Sequence, residues 1–300
     1  MLPPVSTEDG GEPMVRNEAW VPQGIDTTVP NAARVYDYFL DGAHNFPADR
    51  EMANNIQQVL PGVRDAIRIT RAFLRRAVLF MVDSGIRQFL DIGSGIPTVG
   101  NVHEIAQRAN PECRVVYVDK EPVAVTHCEL LLAGNDRAAA IQANLRDVEK
   151  ILDHPQTQRL LDLDQPAGLL MLAVLHFVPD SWDPAGIVAQ YRDRLAPGSY
   201  LALSHITADG HAAGLTEAVQ FYRNTRDPMY LRSHEEVLRL FAGFEVAEPG
   251  LIRCPFWRPS APGDISDSAE INTTIYGGVG RKPRPTEVVP PSHEPRCGGP

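Results

Sequence analysis

Asp91, Gly93, Ser94, Gly95 and Asp119 are the residues of this 300-residue chain whose types and spacing could do chemistry. Residues 88–98 read Gln-Phe-Leu-Asp-Ile-Gly-Ser-Gly-Ile-Pro-Thr, a short apolar strand that ends in an acid and runs into a glycine loop, with a helix to follow. Glycines let a ligand approach bare backbone, and a helix start offers unpaired N–H groups and the positive end of a dipole. Val115-Val116-Tyr117-Val118-Asp119 reads as a second strand ending in an acid, 24 residues past Gly95. That is about where a nucleoside-binding βαβ unit sets the carboxylate that holds ribose hydroxyls.

Two kinds of cofactor use such a unit. A dinucleotide fingerprint has a third glycine, for close helix–strand packing beside a pyrophosphate, where this chain has Thr98 after Pro97. Asp91 just ahead of the loop would sit badly against a pyrophosphate and well against an ammonium group. An acid, two glycines and an acid closing the next strand resembles the class I S-adenosylmethionine-dependent methyltransferases. In those the loop contacts the methionine part and the second acid clamps the ribose. S-adenosyl-L-methionine is therefore the expected cofactor, and a nicotinamide the alternative.

Strand-like and helix-like runs alternate around these residues. Helical spacing covers about 31–41, 48–59 and 64–84, with Val35, Phe39, Phe73, Ala77 and Phe80 in register. Then come strand 88–92, helix 99–109, strand 114–118, helix 122–133, strand 138–142, helix 146–153, strand 167–174, helix 183–195 and strand 199–205. Such alternation predicts an α/β fold, a doubly wound parallel sheet with helices on both faces. Beyond residue 210 the pattern predicts two helices (213–224 and 233–242), a strand near 244–252 and a closing strand near 271–280. Seven strands ending in an antiparallel hairpin is the methyltransferase variant of the Rossmann-like sheet, and a dehydrogenase domain lacks that hairpin.

Ligands of open α/β sheets bind beyond the carboxyl ends of the strands. After strand three, Asn144 and Leu145 could meet adenine. After strand four, Ala173 leads to His176, near the place where a transferable methyl would lie. An imidazole there could take a proton from an attacking hydroxyl or amine, or could simply bond backbone and close the pocket. His205, after strand five, has the same two readings. No strong base is required, because in-line positioning alone supplies effective molarities of about 10⁵–10⁸ M.

Composition bounds the partners. A formal charge of −10, from 38 acids against 28 Lys and Arg, argues against a nucleic-acid groove, which needs clustered basic side chains. Cys113, Cys128, Cys254 and Cys297 are scattered without a Cys-x-x-Cys pair, as reduced thiols of a cytoplasmic protein would be, and no metal is expected. The longest apolar run, Ala167 to Val178, is 12 residues broken by His176, too short for a membrane span of about 20. Prolines and glycines mark residues 1–30 as a flexible leader, and six prolines mark residues 281–300, so that 282–300 reads as a disordered tail.

Four segments together resemble one family. They are Asn31-Ala-Ala-Arg-Val-Tyr-Asp-Tyr-Phe-Leu-Asp-Gly-Ala-His-Asn-Phe-Pro-Ala-Asp-Arg50, Asp91-Ile-Gly-Ser-Gly-Ile-Pro-Thr98, Tyr117-Val-Asp119 and Ala173-Val-Leu-His-Phe-Val-Pro-Asp180. The combination is similar to the S-adenosyl methyltransferase family, long classed as a domain of unknown function, from about residue 30 to Arg281. The resemblance implies a class I fold and cofactor binding at the glycine loop, and supplies no acceptor. One departure is Asn144, where the family pattern has an aspartate; its amide can donate as well as accept.

Within residues 31–281 the stretch 31–84 reads as a helical cap over the pocket, with Tyr36, Tyr38, His44 and Asn45 as expected lining of the acceptor or cofactor cleft. The strand-four exit has neither Asn-Pro-Pro-Tyr nor Asp-Pro-Pro-Tyr nor a Pro-Cys pair, signatures of DNA methylation. The expected function is methyl transfer to oxygen or nitrogen of a small molecule. A protein that senses S-adenosylmethionine without catalysis is the alternative from another class.

Overall fold

The structure is a computed structural model that describes Pro22 and residues 25–284 apart from Val99, Ala208 and His211. Most of the expected leader and tail lies outside the described residues.

Three helices precede the sheet: α1 (Ala32–Phe39), α2 (Pro47–Val59) and α3 (Val63–Asp83). Asn31 starts α1 by accepting the N–H groups of Ala33 and Arg34 at 2.9 and 3.3 Å, which satisfies donors a helix start leaves over. Pro47 begins α2 with its φ already helical, and Asp49 in the first turn accepts the Phe46 N–H at 2.8 Å. Along α3 the residues Ile67, Thr70, Leu74, Ala77, Val78 and Met81 recur at helical spacing and are buried.

The remaining elements alternate: β1 (Gln88–Ile92), α4 (Val102–Ala109), β2 (Arg114–Asp119), α5 (Pro122–Leu131), β3 (Ala138–Gln142), α6 (Val148–Leu152), α7 (Pro155–Leu160), β4 (Gly168–Leu172), α8 (Pro184–Arg194) and β5 (Tyr200–Ile206). After them come α9 (Leu215–Gln220), α10 (His234–Arg239), β6 (Glu245–Val246), β7 (Ile252–Arg253) and β8 (Ile275–Arg281). The sheet runs β3-β2-β1-β4-β5-β8-β6, with β7 also paired to β8. Strands β1 to β5 are parallel, and β8 lies antiparallel to β5, β6 and β7. This is the doubly wound α/β sheet with a closing antiparallel hairpin. Its seven-strand plan becomes eight because the strand expected near 244–252 divides. Pro249 has no N–H to give a ladder and Gly250 turns at φ +97°, so only its two ends pair with β8.

Both faces of the sheet are covered. One face packs against α1 to α4, with Phe73, Ala77, Met81 and Trp257 fully buried. The other packs against α6, α8 and α10, with Ile151, Leu152 and Tyr191 fully buried. Burial on both faces explains why β1 and β4 are buried at every residue. Glycines in β8 permit the close approach. A Cβ on Gly277 would meet the Cys254 Sγ at 2.6 Å, and one on Gly280 would meet the Phe244 Cβ at 2.9 Å.

Candidate functional site

The carboxyl ends of β1, β2 and β4 open into one cleft of about 240 Å³, roofed by α1, α2, α3 and α9. Asp91, Gly93, Ser94, Gly95, Asp119, Asn144, Leu145, Ala173, His176 and Tyr36 all line it.

The sheet register sets the acidic end. Asp91 pairs with Tyr117 of β2 and Leu170 of β4, so its carboxylate is held at the buried centre of the sheet edge. Burial pushes the Asp91 carboxyl up to about 7, against the pull of the Arg71 guanidinium. The chain then folds back on β2, with Gly93 N–H and Ser94 N–H donating to the Val118 carbonyl at 2.8 and 3.1 Å. Gly93 and Gly95 hold φ of +70° and +67°, where a side chain is strained. A Cβ on Gly93 would meet the Val174 side chain at 2.2 Å, whereas one on Gly95 meets nothing within 4 Å. Gly93 is thus needed for packing, and Gly95 leaves its space to the cleft.

Asp119 accepts the Gly95 N–H at 2.8 Å and the Glu121 N–H at 2.9 Å, one on each oxygen. It thereby ties the glycine loop to the end of β2. Burial raises its pKa, and the two N–H groups oppose that rise. The helix that was expected to begin at residue 99 begins at Val102, and it takes no part in the cleft. Glu104 turns back to accept the N–H groups of Gly100 and Asn101 at 2.9 and 2.8 Å, so the helix start satisfies itself.

At the β3 exit, Asn144 Oδ1 accepts the Arg146 N–H at 3.1 Å. The Arg146 guanidinium lies 3.8 Å from the centre of the Trp182 ring, which stands half exposed at the mouth of the cleft. At the β4 exit, Ala173 takes a left-handed φ of +52° and donates its N–H to Ser204 Oγ at 2.9 Å. That turn sends the chain toward His176, whose ring lines the cleft and whose buried Nδ1 has no hydrogen-bond partner among the described residues. Burial, with His205 and Arg232 nearby, lowers the His176 pKa well below the usual range, so the ring is neutral at neutral pH.

Four expected residues lie off the cleft. His205 sits behind His176, ring centres 5.5 Å apart, and is fully buried. Its Nδ1 donates to the Ile206 carbonyl at 2.6 Å and its Nε2 accepts from Arg232 at 2.8 Å. Arg232 also donates to the carbonyls of Leu175 and Val178 at 2.9 and 2.6 Å, and so pins the β4 exit loop. Tyr38 turns outward to donate to Asn54 at 3.1 Å. Asn45 is consumed by the turn after α1, donating to Asp37 at 2.8 Å and to the Gly42 carbonyl at 2.9 Å. His44 stacks on His127 with ring centres 3.6 Å apart. The helical stripe carrying Tyr36 faces inward, and the following turn faces away.

Other residues complete the cleft or hold its roof in place. Asp227 accepts from Asn31 Nδ2 at 3.1 Å and from the Ala32 N–H at 3.2 Å, and it pairs with Lys120 beyond β2. Arg34 pairs with Asp49 at 2.9 Å and Glu121 at 3.3 Å. These contacts strap α1 over the cleft. Arg71 lines the cleft from α3, on the same stripe as Ile67 and Leu74. A charge on that apolar stripe was the readable signal for it. Asp227 has no such signal, since its role depends on contacts almost 200 residues away in sequence.

Comparison with known proteins identifies the family. A protein from Thermobifida fusca, described as a candidate methyltransferase, is 39% identical; its structure covers 88% of this chain and 99% of its own length, with a TM-score of 0.83. A DUF574 family protein from Streptomyces avermitilis is also 39% identical, with 86% and 99% coverage and a TM-score of 0.82. No curated protein matches the chain. The family model described as S-adenosyl methyltransferase matches residues 18–283. The chain belongs to the S-adenosyl methyltransferase family and is an S-adenosylmethionine-dependent methyltransferase.

Proposed function

We propose that this enzyme transfers the methyl group of S-adenosylmethionine to an oxygen or nitrogen of a small molecule held in the same cleft. The observation that carries this reading is the continuity of the cleft, from the Asp91–Asp119 end, past Ala173 and His176, to the side chains of α1–α3 and α9.

The residues at the acidic end fit the cofactor. Asp91 is a buried carboxylate held near neutrality, and an ammonium group beside it would restore its charge. The open space at Gly95 accommodates the methionine part. Each oxygen of Asp119 takes one N–H and keeps a lone pair for a ribose hydroxyl. With Asn144 Oδ1 accepting from Arg146, the donor end of the amide remains for a ring nitrogen of adenine, beside Leu145. Bound there, the cofactor supplies a methyl carbon activated by sulfonium charge. The protein then has to exclude water, align the acceptor and let a proton leave. The strap of Asp227 and Arg34 over α1 serves the first task, and the neutral ring of His176 serves the last.

Among the described residues no helix is long and apolar enough to cross a membrane. Cys113, Cys128 and Cys254 are buried and unpaired, which supports a reducing, cytoplasmic setting.

The test is calorimetric titration with S-adenosylmethionine, S-adenosylhomocysteine and NADH, repeated on Asp119→Ala. Micromolar binding of the sulfur nucleosides, lost in the variant, supports the reading. Tight NADH binding, or unchanged nucleoside affinity in Asp119→Ala, overturns it.

A further inference from the structure

The roof of the cleft has a chemical character of its own. Its lining from α1, α2 and α9 includes Phe39, Ile56, Leu60, Leu215 and Val219, with Phe177 rising from below, and no charged side chain comes from those three helices. Arg71, which α3 contributes, donates to the Gly100 carbonyl at 2.8 Å and acts on both Asp91 and Tyr36, so its charge stands between the roof and the acidic end and is matched there by the Asp91 carboxylate. A carboxylate or ammonium in this lobe would be desolvated without a counter-charge, which is costly. The ring of Phe177 meets that of Tyr222 at 5.9 Å between centres, tilted by 51°. Such walls favour a flat apolar guest. At the boundary with the acidic end stands the buried His176 ring, with Nδ1 unpaired among the described residues.

We propose that the acceptor is an uncharged, planar aromatic hydroxyl compound whose ring fills the lobe under α1, α2 and α9 and whose hydroxyl meets His176. The proposal rests on the cofactor and acceptor reading of the cleft given above. An aromatic hydroxyl is chosen because it ionises near pH 10, as tyrosine does, far more readily than an alkyl alcohol, and so needs less help from the base. The hydroxyl oxygen bonds to the methyl carbon as the carbon–sulfur bond breaks, its electron pair staying on sulfur. The hydroxyl proton passes to His176 and on to solvent, so the ring returns neutral. The imidazole also gives the lobe its direction, because it is the polar group against which the hydroxyl is set.

The test uses the full chain, with 2-naphthol, 2-naphthoate and 2-methylnaphthalene as probes in calorimetry and S-adenosylhomocysteine titrated alongside. We expect 2-naphthol to bind at least tenfold more tightly than 2-naphthoate. In His176→Leu, 2-naphthol should weaken at least fivefold while 2-methylnaphthalene and S-adenosylhomocysteine are unchanged. Equal or tighter binding of the carboxylate, binding of none of the three probes, or an unaltered 2-naphthol affinity in His176→Leu overturns the proposal while leaving the cofactor site standing. Absence of S-adenosylhomocysteine binding in the unaltered protein overturns the cofactor reading and the acceptor assignment with it.

Discussion

Cofactor affinity should depend on pH through Asp91. The carboxyl is buried, opposed by Asp119, attracted by Arg71, and held at about 7. An ammonium group binds the ionised form, so affinity falls as pH falls through that value. At one pH unit below it about a tenth of the molecules carry the charge, and at one unit above about nine-tenths do, so Kd should worsen about tenfold from pH 8 to pH 6. Binding at pH 6 should also release close to one proton per site. Asp91→Asn removes both effects and weakens binding at pH 8 by about 3 kcal/mol, roughly a hundredfold, the usual cost of breaking a buried charge pair, and at pH 6 by only about tenfold. The assay is calorimetric titration with S-adenosylhomocysteine at pH 6, 7 and 8, in two buffers of different ionisation enthalpy. A Kd constant within twofold over that range, with no proton release, would refute the assignment of Asp91 to the ammonium group.

The two loop glycines should separate folding from binding. Gly95→Ala is expected to change urea stability by about 1 kcal/mol, from its positive φ, yet to weaken S-adenosylhomocysteine at least tenfold. Gly93→Ala, whose Cβ would strike Val174, should cost about 2–3 kcal/mol of stability; equal effects in the two variants would contradict this division. His205 is held at about 4, well below its unfolded value, so the unfolded chain takes up a proton before the native one does. Stability is therefore present above the unfolded pKa near 6.5 and lost as pH falls toward 4, by about 3 kcal/mol in all. His205→Gln should flatten that acid limb in urea titrations from pH 4 to 7. Asp227→Ala orphans the Asn31 amide and the Ala32 N–H, at a cost of about 1–3 kcal/mol. S-adenosylhomocysteine should then dissociate faster in stopped flow, and an unchanged rate would remove the strap from the account of the cleft.

The sheet was legible because its strands are buried on both faces and read as apolar runs closed by acids or turn residues. Asp91, Asp119 and the glycines were readable for the same reason, since strand ends and chain spacing fix them locally. The helix α7 was missed because its signal is brief, a proline after His154, whose Nδ1 accepts the Gln156 N–H. Tyr38, His44 and Asn45 were misdirected because spacing gives a helix its faces but does not say which face turns inward. Gly42 decides that: its missing Cβ leaves room for the Asp37 carboxylate, which then collects Asn45 and the His44 N–H. His205 ended behind the cleft because its partner is Arg232, and a contact between residues 27 apart leaves no periodic trace.

Trp182 and Trp257 give the molecule two optical reporters in different surroundings. Trp182 stands at the cleft mouth under the Arg146 guanidinium, while Trp257 is wholly enclosed against Phe73 and Phe80. A ligand that displaces the guanidinium alters the red, solvent-facing part of the emission and leaves the blue part alone. Denaturation does the reverse first, moving the enclosed indole to longer wavelength. With Trp20 replaced by phenylalanine, a single emission spectrum would follow occupancy and unfolding as separate signals, without any added dye.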